Sequence, residues 1–336
     1  MAREKTTYTF GDMLISKKGK NEFLEKVSIL INFKKIEKLL KKVIPRKTKV
    51  GTPEYSHILL LKILLLETWY NLSDMGVEEQ LNDRLSFIKF LELSVDSKIP
   101  DHSTISRFRT KLLEKNLMGK ILLEVNKQLE AHNWLVKEGI IVDATTVSSN
   151  RHPRKMVEIE EMSKDREEKE EVKISYSDDE EAKFLVKGNK IVYGYKCHVA
   201  TDKAGFMLEG FVTGANESDV SNLSGVLERV DLEEGTDIYC DKGYSSKGND
   251  ELLKTKKLNN RIMKKGRRGK ALKDSEKKYN KILGKTRYVI EQSFGILKKW
   301  YGFSRMRYIG QEKCELELYL KMLTFNIKKG VLKLTP

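Results

Sequence analysis

Three carboxylates in this chain have neighbours that suit catalysis. Asp143 follows the apolar triplet Ile140-Ile-Val142, Asp241 follows Ile238-Tyr-Cys240, and Glu291 lies within Arg287-Tyr-Val-Ile-Glu291-Gln-Ser-Phe-Gly-Ile-Leu-Lys298. An Asp that ends an apolar β-type run can emerge from a buried strand into a crevice, and ligand sites in α/β sheets favour that edge. Carboxylates crowded together repel, and a divalent cation is the natural remedy. Carboxylate oxygens are hard donors of the kind Mg²⁺ selects, with Mn²⁺ able to substitute. Two such ions about 4 Å apart would orient a nucleophile, neutralise a phosphodiester and stabilise its leaving oxygen. The expectation is a nucleic-acid-cutting site with Asp143, Asp241 and Glu291 as both catalytic and metal-binding groups.

Each residue taken alone has a plainer reading. A single Asp at a strand end is commonly an Asx turn or a helix cap, and Gly243 beyond Asp241 suits that reading too. Glu291 between Arg287 and Lys298 could be one member of a solvated ion pair. On a helix, however, positions 287, 291 and 298 share a face, with Ile290, Phe294 and Leu297 on the adjacent inward stripe. One carboxylate with two cations on one face also suits a helix lying beside a phosphate backbone.

Charge points the same way. The 336 residues carry a formal charge of +15, which makes a polyanion the default partner. Residues 1–50 hold 14 Lys/Arg against 5 Asp/Glu, residues 261–300 hold 14 against 3, and residues 155–183 reverse the balance with 12 acids against 6 bases. Such segregation suggests two surfaces facing nucleic acid, set against the alternative of an ordinary lysine-rich exterior. Three scattered cysteines, Cys197, Cys240 and Cys314, are too few for a disulfide framework or a zinc cluster. The N-terminus lacks a signal-peptide core, and the longest apolar run, Ile58 to Leu66, is interrupted by Lys62 and falls far short of the ~20 residues that span a bilayer. A cytoplasmic, nucleoid-associated protein is expected.

The elements that must position these groups fall into three segments. Residues 1–134 read as an N-terminal helical, DNA-binding domain: a helix over 21–44, an apolar helix over 55–72, shorter segments near 76–82 and 86–93, and a long helix over 103–133. Pro100-Asp-His-Ser-Thr104 starts the last of these, with Asp101 or Ser103 as N-cap. Ile105, Phe108 and Leu112 form its inward stripe, so Arg107, Arg109 and Lys111 are expected to point elsewhere. Arg107 and Arg109 then become DNA-binding candidates of a helix-turn-helix reader, the competing reading being a plain helical bundle.

Residues 135–310 change to strands and form the candidate catalytic domain. Strands are expected over 139–147, 190–201, 206–213, 236–240 and 261–263, with helices over 216–230, 245–256 and 275–299. This order predicts a mixed α/β sheet with flanking helices. An acidic insertion at about 152–187 has the composition of an exposed, mobile segment. The loop Lys264-Lys-Gly-Arg-Arg-Gly-Lys270 is no nucleotide-binding loop, and Lys264, Lys265, Arg267 and Arg268 suit gripping phosphates. Lys196 and His198 alternate with apolar residues and are assigned to a solvent face, the alternative being that they face DNA, whereas Asn216 and Asp219 are assigned to helix capping and His102 to local structure. Residues 311–336 supply a final amphipathic helix over 311–330.

The combined motifs resemble the DDE transposases of bacterial insertion sequences, specifically the insertion-sequence-five group of the insertion-sequence-four-like superfamily. The resemblance covers nearly the whole chain. It includes Pro100-Asp-His-Ser-Thr-Ile-Ser-Arg-Phe-Arg109, Val142-Asp143-Ala-Thr, Tyr193-Gly-Tyr-Lys-Cys-His198 with Thr201-Asp202, Val212-Thr-Gly-Ala-Asn216, Cys240-Asp241-Lys-Gly-Tyr244, and Arg287-x3-Glu291-x6-Lys298. It implies a ribonuclease H-like catalytic fold, the triad Asp143, Asp241 and Glu291, and Arg287 and Lys298 as DNA contacts near the transposon end. The family signature has a Tyr three residues before the Arg; here that place holds Gly284, and neither Tyr279 nor Tyr288 has the right spacing.

The function so implied is a Mg²⁺-dependent transposase that binds terminal inverted repeats, hydrolyses the ends and joins the 3′-hydroxyl to target DNA, working as a homodimer in the synaptic complex. Its rivals are a non-mobile ribonuclease H-like DNA nuclease and a catalytically decayed DNA-binding remnant.

Overall fold

The computed structural model describes residues 20–45, 54–135, 138–161, 170–177, 179–266 and 271–334, with only the backbone described over 154–177. Two compact units divide the chain: one combines residues 1–139, 201–208 and 319–336, and the other 140–200 and 209–318.

The first unit is helical. Helices α1 (Glu22–Leu30) and α2 (Phe33–Val43) replace the single helix expected over 21–44. Ile31 is extended, and the side chain of Asn32 accepts from Lys34 N, so a cap residue inside an apparently continuous pattern starts a new helix. Helix α3 (His57–Trp69) is buried on nearly every side, Lys62 included. That lysine donates to Phe90 O at 3.0 Å and Glu92 Oε1 at 2.7 Å, which lets an ammonium sit inside an apolar helix. Helices α4 (Asp74–Asp83) and α5 (Leu85–Phe90) follow.

The long helix expected over 103–133 is also two, α6 (His102–Glu114) and α7 (Met118–Glu130). Asn116 takes a φ of 46° between them, a left-handed conformation that Asn tolerates better than most residues and that helix interiors do not contain. Asp101 caps α6 by accepting from Thr104 N at 2.6 Å.

The second unit is built on a six-stranded sheet. Its strands are β1 (Gly139–Ser148), β4 (Lys183–Lys187), β5 (Lys190–Asp202), β6 (Met207–Gly214), β7 (Asp237–Cys240) and β8 (Asn259–Ile262), in the order β4-β5-β1-β7-β8 with β6 also paired to β5. Strands β4 and β5 run antiparallel through a turn at Gly188, whose φ of 59° favours glycine. Strands β7 and β8 are parallel, and helix α9 (Lys247–Thr255) lies between them in sequence. Gly194 marks a close approach of strands: a Cβ there would stand 2.2 Å from Val147 O.

Three expectations for this unit are corrected. The helix expected over 216–230 is only α8 (Leu223–Arg229), so Asp219 precedes it by a full turn and does not cap it. The acidic stretch contains strands: β2 (Arg154–Glu161) pairs antiparallel with β3 (Glu170–Ser177), with Val157 opposite Ile174 and Ile159 opposite Val172. Composition averaged over the stretch hides this local alternation of β-branched residues, which is what strand formation responds to. Lastly, Lys196 and His198 are buried.

Helix α10 (Asp274–Trp300) buries Leu283, Arg287, Ile290, Phe294 and Leu297, the spacing of one helical face. The last helix, α11 (Gln311–Lys333), is not amphipathic over its length, because every residue from Leu316 to Ile327 is buried. No described helix is long and apolar enough to cross a membrane.

Within the first unit, a polar knot joins distant segments. Asn326 Oδ1 accepts from Met207 N at 2.9 Å, and Asn326 Nδ2 donates to Met207 O at 2.7 Å and Asn126 Oδ1 at 2.8 Å. All of these groups are buried, so removing the amide strands several of them at once. Asn326→Leu is expected to lower unfolding free energy by about 2 kcal/mol or more, read by urea denaturation; an unchanged midpoint would contradict the account.

Candidate active site

Asp143, Asp241 and Glu291 arrive from three elements and meet at one guanidinium. Asp143 sits inside β1, Asp241 directly follows β7, and Glu291 lies on α10. Arg287, one helical turn before Glu291, places Nη2 2.7 Å from Asp143 Oδ2 and 3.5 Å from Glu291 Oε1, with Nη1 3.9 Å from Asp241 Oδ1. Burial is graded: the Arg287 and Asp143 side chains are 8% and 17% exposed, against 40% for Asp241 and 53% for Glu291. The cation thus lies at the floor of the site, with the two outer carboxylates open to solvent.

Local sequence explains each position. The buried run Ile140–Val142 anchors β1 and delivers Asp143, which also accepts from Ala144 N at 2.9 Å. Asp241 both faces Arg287 and caps a short 3₁₀ turn over Lys242–Tyr244, so its capping and its place in the site coexist. Burial raises the Asp143 carboxyl above the ordinary Asp range, and the Arg287 charge opposes that rise. Burial likewise keeps the Cys240 thiol protonated, which removes it as a nucleophile.

The donor set fits a hard divalent cation, since three carboxylates surround a single point. Among the described residues, however, no three acidic, His or Cys side chains stand close enough together to hold one ion as they lie. Their oxygens are turned to the guanidinium.

Residues expected to meet DNA are distributed differently. Lys298 is half-buried and donates to Thr146 O at 3.1 Å, beside the site on β1. Lys264 and Lys265 are exposed, with the Lys264 backbone fixed by Asn280 through bonds of 2.8 and 2.9 Å. Arg267 and Arg268 lie outside the described residues. In the other unit Arg107 is exposed, whereas Arg109 is buried, against the expectation that it points away from the inward stripe. Its guanidinium reaches Asp74 Oδ2 at 3.0 Å and Glu67 Oε2 at 3.1 Å. The acids on α3 and α4 that draw it inward are 42 and 35 residues away in sequence, beyond any local pattern.

A fourth carboxylate, assigned to helix capping from the sequence, stands near the other three. Asp219 borders the site: a Cβ on Gly243 would stand 3.8 Å from Asp241 Oδ2 and 4.0 Å from Asp219 Oδ2. Buried Lys196 neutralises it, with Nζ 3.0 Å from Asp219 Oδ1. The clue available was the match of the Lys196 and Asn216 blocks to one family pattern. His198, two residues on from Lys196 along β5, places Nε2 3.0 Å from Thr213 Oγ1 and stacks on Phe211. The Tyr244 hydroxyl is buried with no hydrogen-bond partner among the described residues, within reach of the Asp143 and Asp219 charges.

Residues 134–327 match the family described as Transposase DDE domain, and residues 12–111 match Transposase domain (DUF772). The chain therefore belongs to the DDE transposase family, and its function is DNA transposition. It is 32% identical over 232 residues to the transposase for insertion sequence element IS1106 of Neisseria meningitidis serogroup B, a match spanning 68% of this chain and 78% of that protein. Among solved structures, the piggyBac transposase synaptic complex with hairpin DNA aligns with a TM-score of 0.43 at 11% identity, over 99% of this chain and 80% of the other. The Mos1 strand transfer complex aligns at 0.23 with 9% identity, over 98% of each.

Burial of His198 carries a pH signature. Its imidazole is held at about 4, mainly by desolvation, against 6.5 in an open chain. The fold therefore keeps it neutral: this contribution is complete above 6.5 and is lost as pH falls towards 4, because only the unfolded chain takes up the proton there. The loss amounts to about 3 kcal/mol at most. The stability advantage of wild type over His198→Gln should thus shrink between pH 7 and pH 4.5 in urea unfolding; a constant difference would refute the assignment.

Proposed function

We propose that this transposase binds the terminal inverted repeats of its own insertion sequence, hydrolyses a strand at each end and joins the freed 3′-hydroxyl to target DNA. Asp143, Asp241 and Glu291 would hold the divalent ions, two Mg²⁺ with Mn²⁺ able to substitute. Bound there, the ions supply charge neutralisation at the scissile phosphate and a more acidic nucleophile. The observation carrying this reading is the convergence of three carboxylates from β1, the end of β7 and α10 on one point in a DDE family chain.

The protein's own groups set the stage for that chemistry. Half-buried Asp143 gives the site a fixed inner wall, while the more exposed Asp241 and Glu291 face the side from which a strand can enter. Lys298 borders the carboxylates and supplies positive charge where a phosphate backbone would pass, while Lys196 and Asp219 offset one another beside them. Strand order β6-β5-β1-β7-β8, with β7 and β8 parallel and α10 packed on β7, supports a ribonuclease H-like catalytic fold.

Further parts of the reading follow from the same resemblance. Within the family the chain falls in the insertion-sequence-five group. The N-terminal helical residues 1–134 recognise DNA, with Arg107 exposed midway along α6. Lys264, Lys265, Arg267 and Arg268 grip phosphates, and Arg287 and Lys298 reach the transposon end. Two DNA ends must be joined, so the protein acts as a homodimer in the cytoplasm, on the nucleoid.

The decisive experiment incubates purified protein and Mg²⁺ with a labelled duplex carrying the flanking terminal repeat, beside Asp241→Ala. Nicking at the repeat boundary is expected from wild type and should be undetectable in the variant. Equal cleavage by Asp241→Ala would overturn the triad, and specific binding without cleavage under Mg²⁺ or Mn²⁺ would favour a DNA-binding remnant.

Arg107 and Arg109 should separate cleanly. Arg107→Ala is expected to weaken DNA binding, reduce the salt slope by about 1 and leave the melting temperature unchanged. Arg109→Ala strips the partner from buried Glu67 and should cost about 3 kcal/mol of stability.

A further inference from the structure

We propose that Arg287 is a displaceable counter-cation, whose guanidinium and the divalent ions compete for the same carboxylate oxygens, so that DNA tightens metal binding by drawing the guanidinium away. The inference rests on Asp143, Asp241 and Glu291 being the metal ligands.

The geometry makes guanidinium and metal exclusive. Arg287 is buried with all three carboxylates within 3.9 Å, and its shortest contact, 2.7 Å, is to the most buried of them. Among the described residues, no three acids are gathered for an ion while the guanidinium stands among them. An ion binding those oxygens would sit beside a like charge in a poorly hydrated floor, where repulsion is strongly felt. Neighbouring cations do not relieve the carboxylates instead: Lys298 is directed to the Thr146 carbonyl, and Lys196 to Asp219. Site and guanidinium are therefore balanced without metal, at the expense of metal affinity.

A phosphate changes that balance. Arg287 is carried on a long side chain from α10, and a guanidinium pairs as readily with two phosphate oxygens as with a carboxylate. A strand entering past the exposed Asp241 and Glu291 would offer such a partner. Freed of the guanidinium, the three carboxylates carry uncompensated negative charge that only further cations can offset. Metal and DNA should then reinforce one another, each raising the other's affinity by the same factor. The protein would thereby load its ions chiefly on DNA, not free in solution.

The test measures Mn²⁺ binding to the full chain by electron paramagnetic resonance of the free ion, with and without a terminal-repeat duplex. Without DNA, Arg287→Gln should bind Mn²⁺ about tenfold more tightly than wild type, and Arg287→Lys should stay near wild type because it keeps the charge. Adding the duplex should tighten wild type and leave Arg287→Gln unchanged. Should Arg287→Gln fold poorly without metal, its melting temperature should rise more with Mn²⁺ than that of wild type. Equal Mn²⁺ affinity in wild type and Arg287→Gln, abolished by Asp241→Asn, would overturn the counter-cation role while leaving the triad standing. Absence of Mn²⁺ binding in wild type and Arg287→Gln alike, on and off DNA, would overturn both.

Discussion

Three carboxylates from separate elements cannot share one crevice unless something offsets their charge. Here a single guanidinium does so, from the floor of the site. Arg287 needs α10 laid against the sheet so that position 287 faces inward while 291, one turn later, reaches the rim. It needs β1 buried by Ile140–Val142, so that Asp143 is held where it can be paired. It also needs β7 to end where Asp241 can turn back over the helix. Sheet order, helix placement and burial gradient are all conditions for that one contact, and a shift in any of them would leave a buried charge unpaired.

The same rule holds across a chain rich in lysine and arginine. Cations that enter the interior are given acids: Lys62 with Glu92, Arg109 with Glu67 and Asp74, Lys196 with Asp219. Those left outside, such as Lys264, Lys265 and Arg107, remain available to a polyanion. Asp179 is a buried carboxylate met by hydroxyls instead, those of Ser149 and Tyr195, where the strand-rich insertion returns to the sheet. Charge excess at the surface and charge matching in the core are thus two results of one desolvation cost.

Much of the sheet was legible because its signals are local. Apolar runs ending in Asp143 and Asp241 and the inward stripe of α10 each mark an element within a few residues, and the meeting of three carboxylates followed from them. Where the reading failed, the deciding contact was distant. Nothing around Arg109 announces Glu67, and the alternation of Lys196 and His198 on β5 imitates a solvent face although both faces of the strand are covered. Helix breaks at Asn32 and Asn116 depend on single residues that a periodic pattern runs through without a mark. That Arg287 would turn to the carboxylates was likewise invisible, since the spacing Arg287-x3-Glu291 is equally that of a surface pair.

The helical unit begins at the amino end of the chain but is not finished there. Residues 319–336 belong to it; Asn326 bonds with Asn126, and Gly330 lies so near Leu30 and Leu129 that a Cβ would approach each within 3 Å. During synthesis, the earliest helices must therefore wait for the segment from residue 319 onward before their core can close. A copy of the gene interrupted ahead of residue 319 would lose the amino-terminal unit's closing segment even with Asp143, Asp241 and Glu291 still encoded, so such a loss would act through misfolding and leave those three carboxylates untouched.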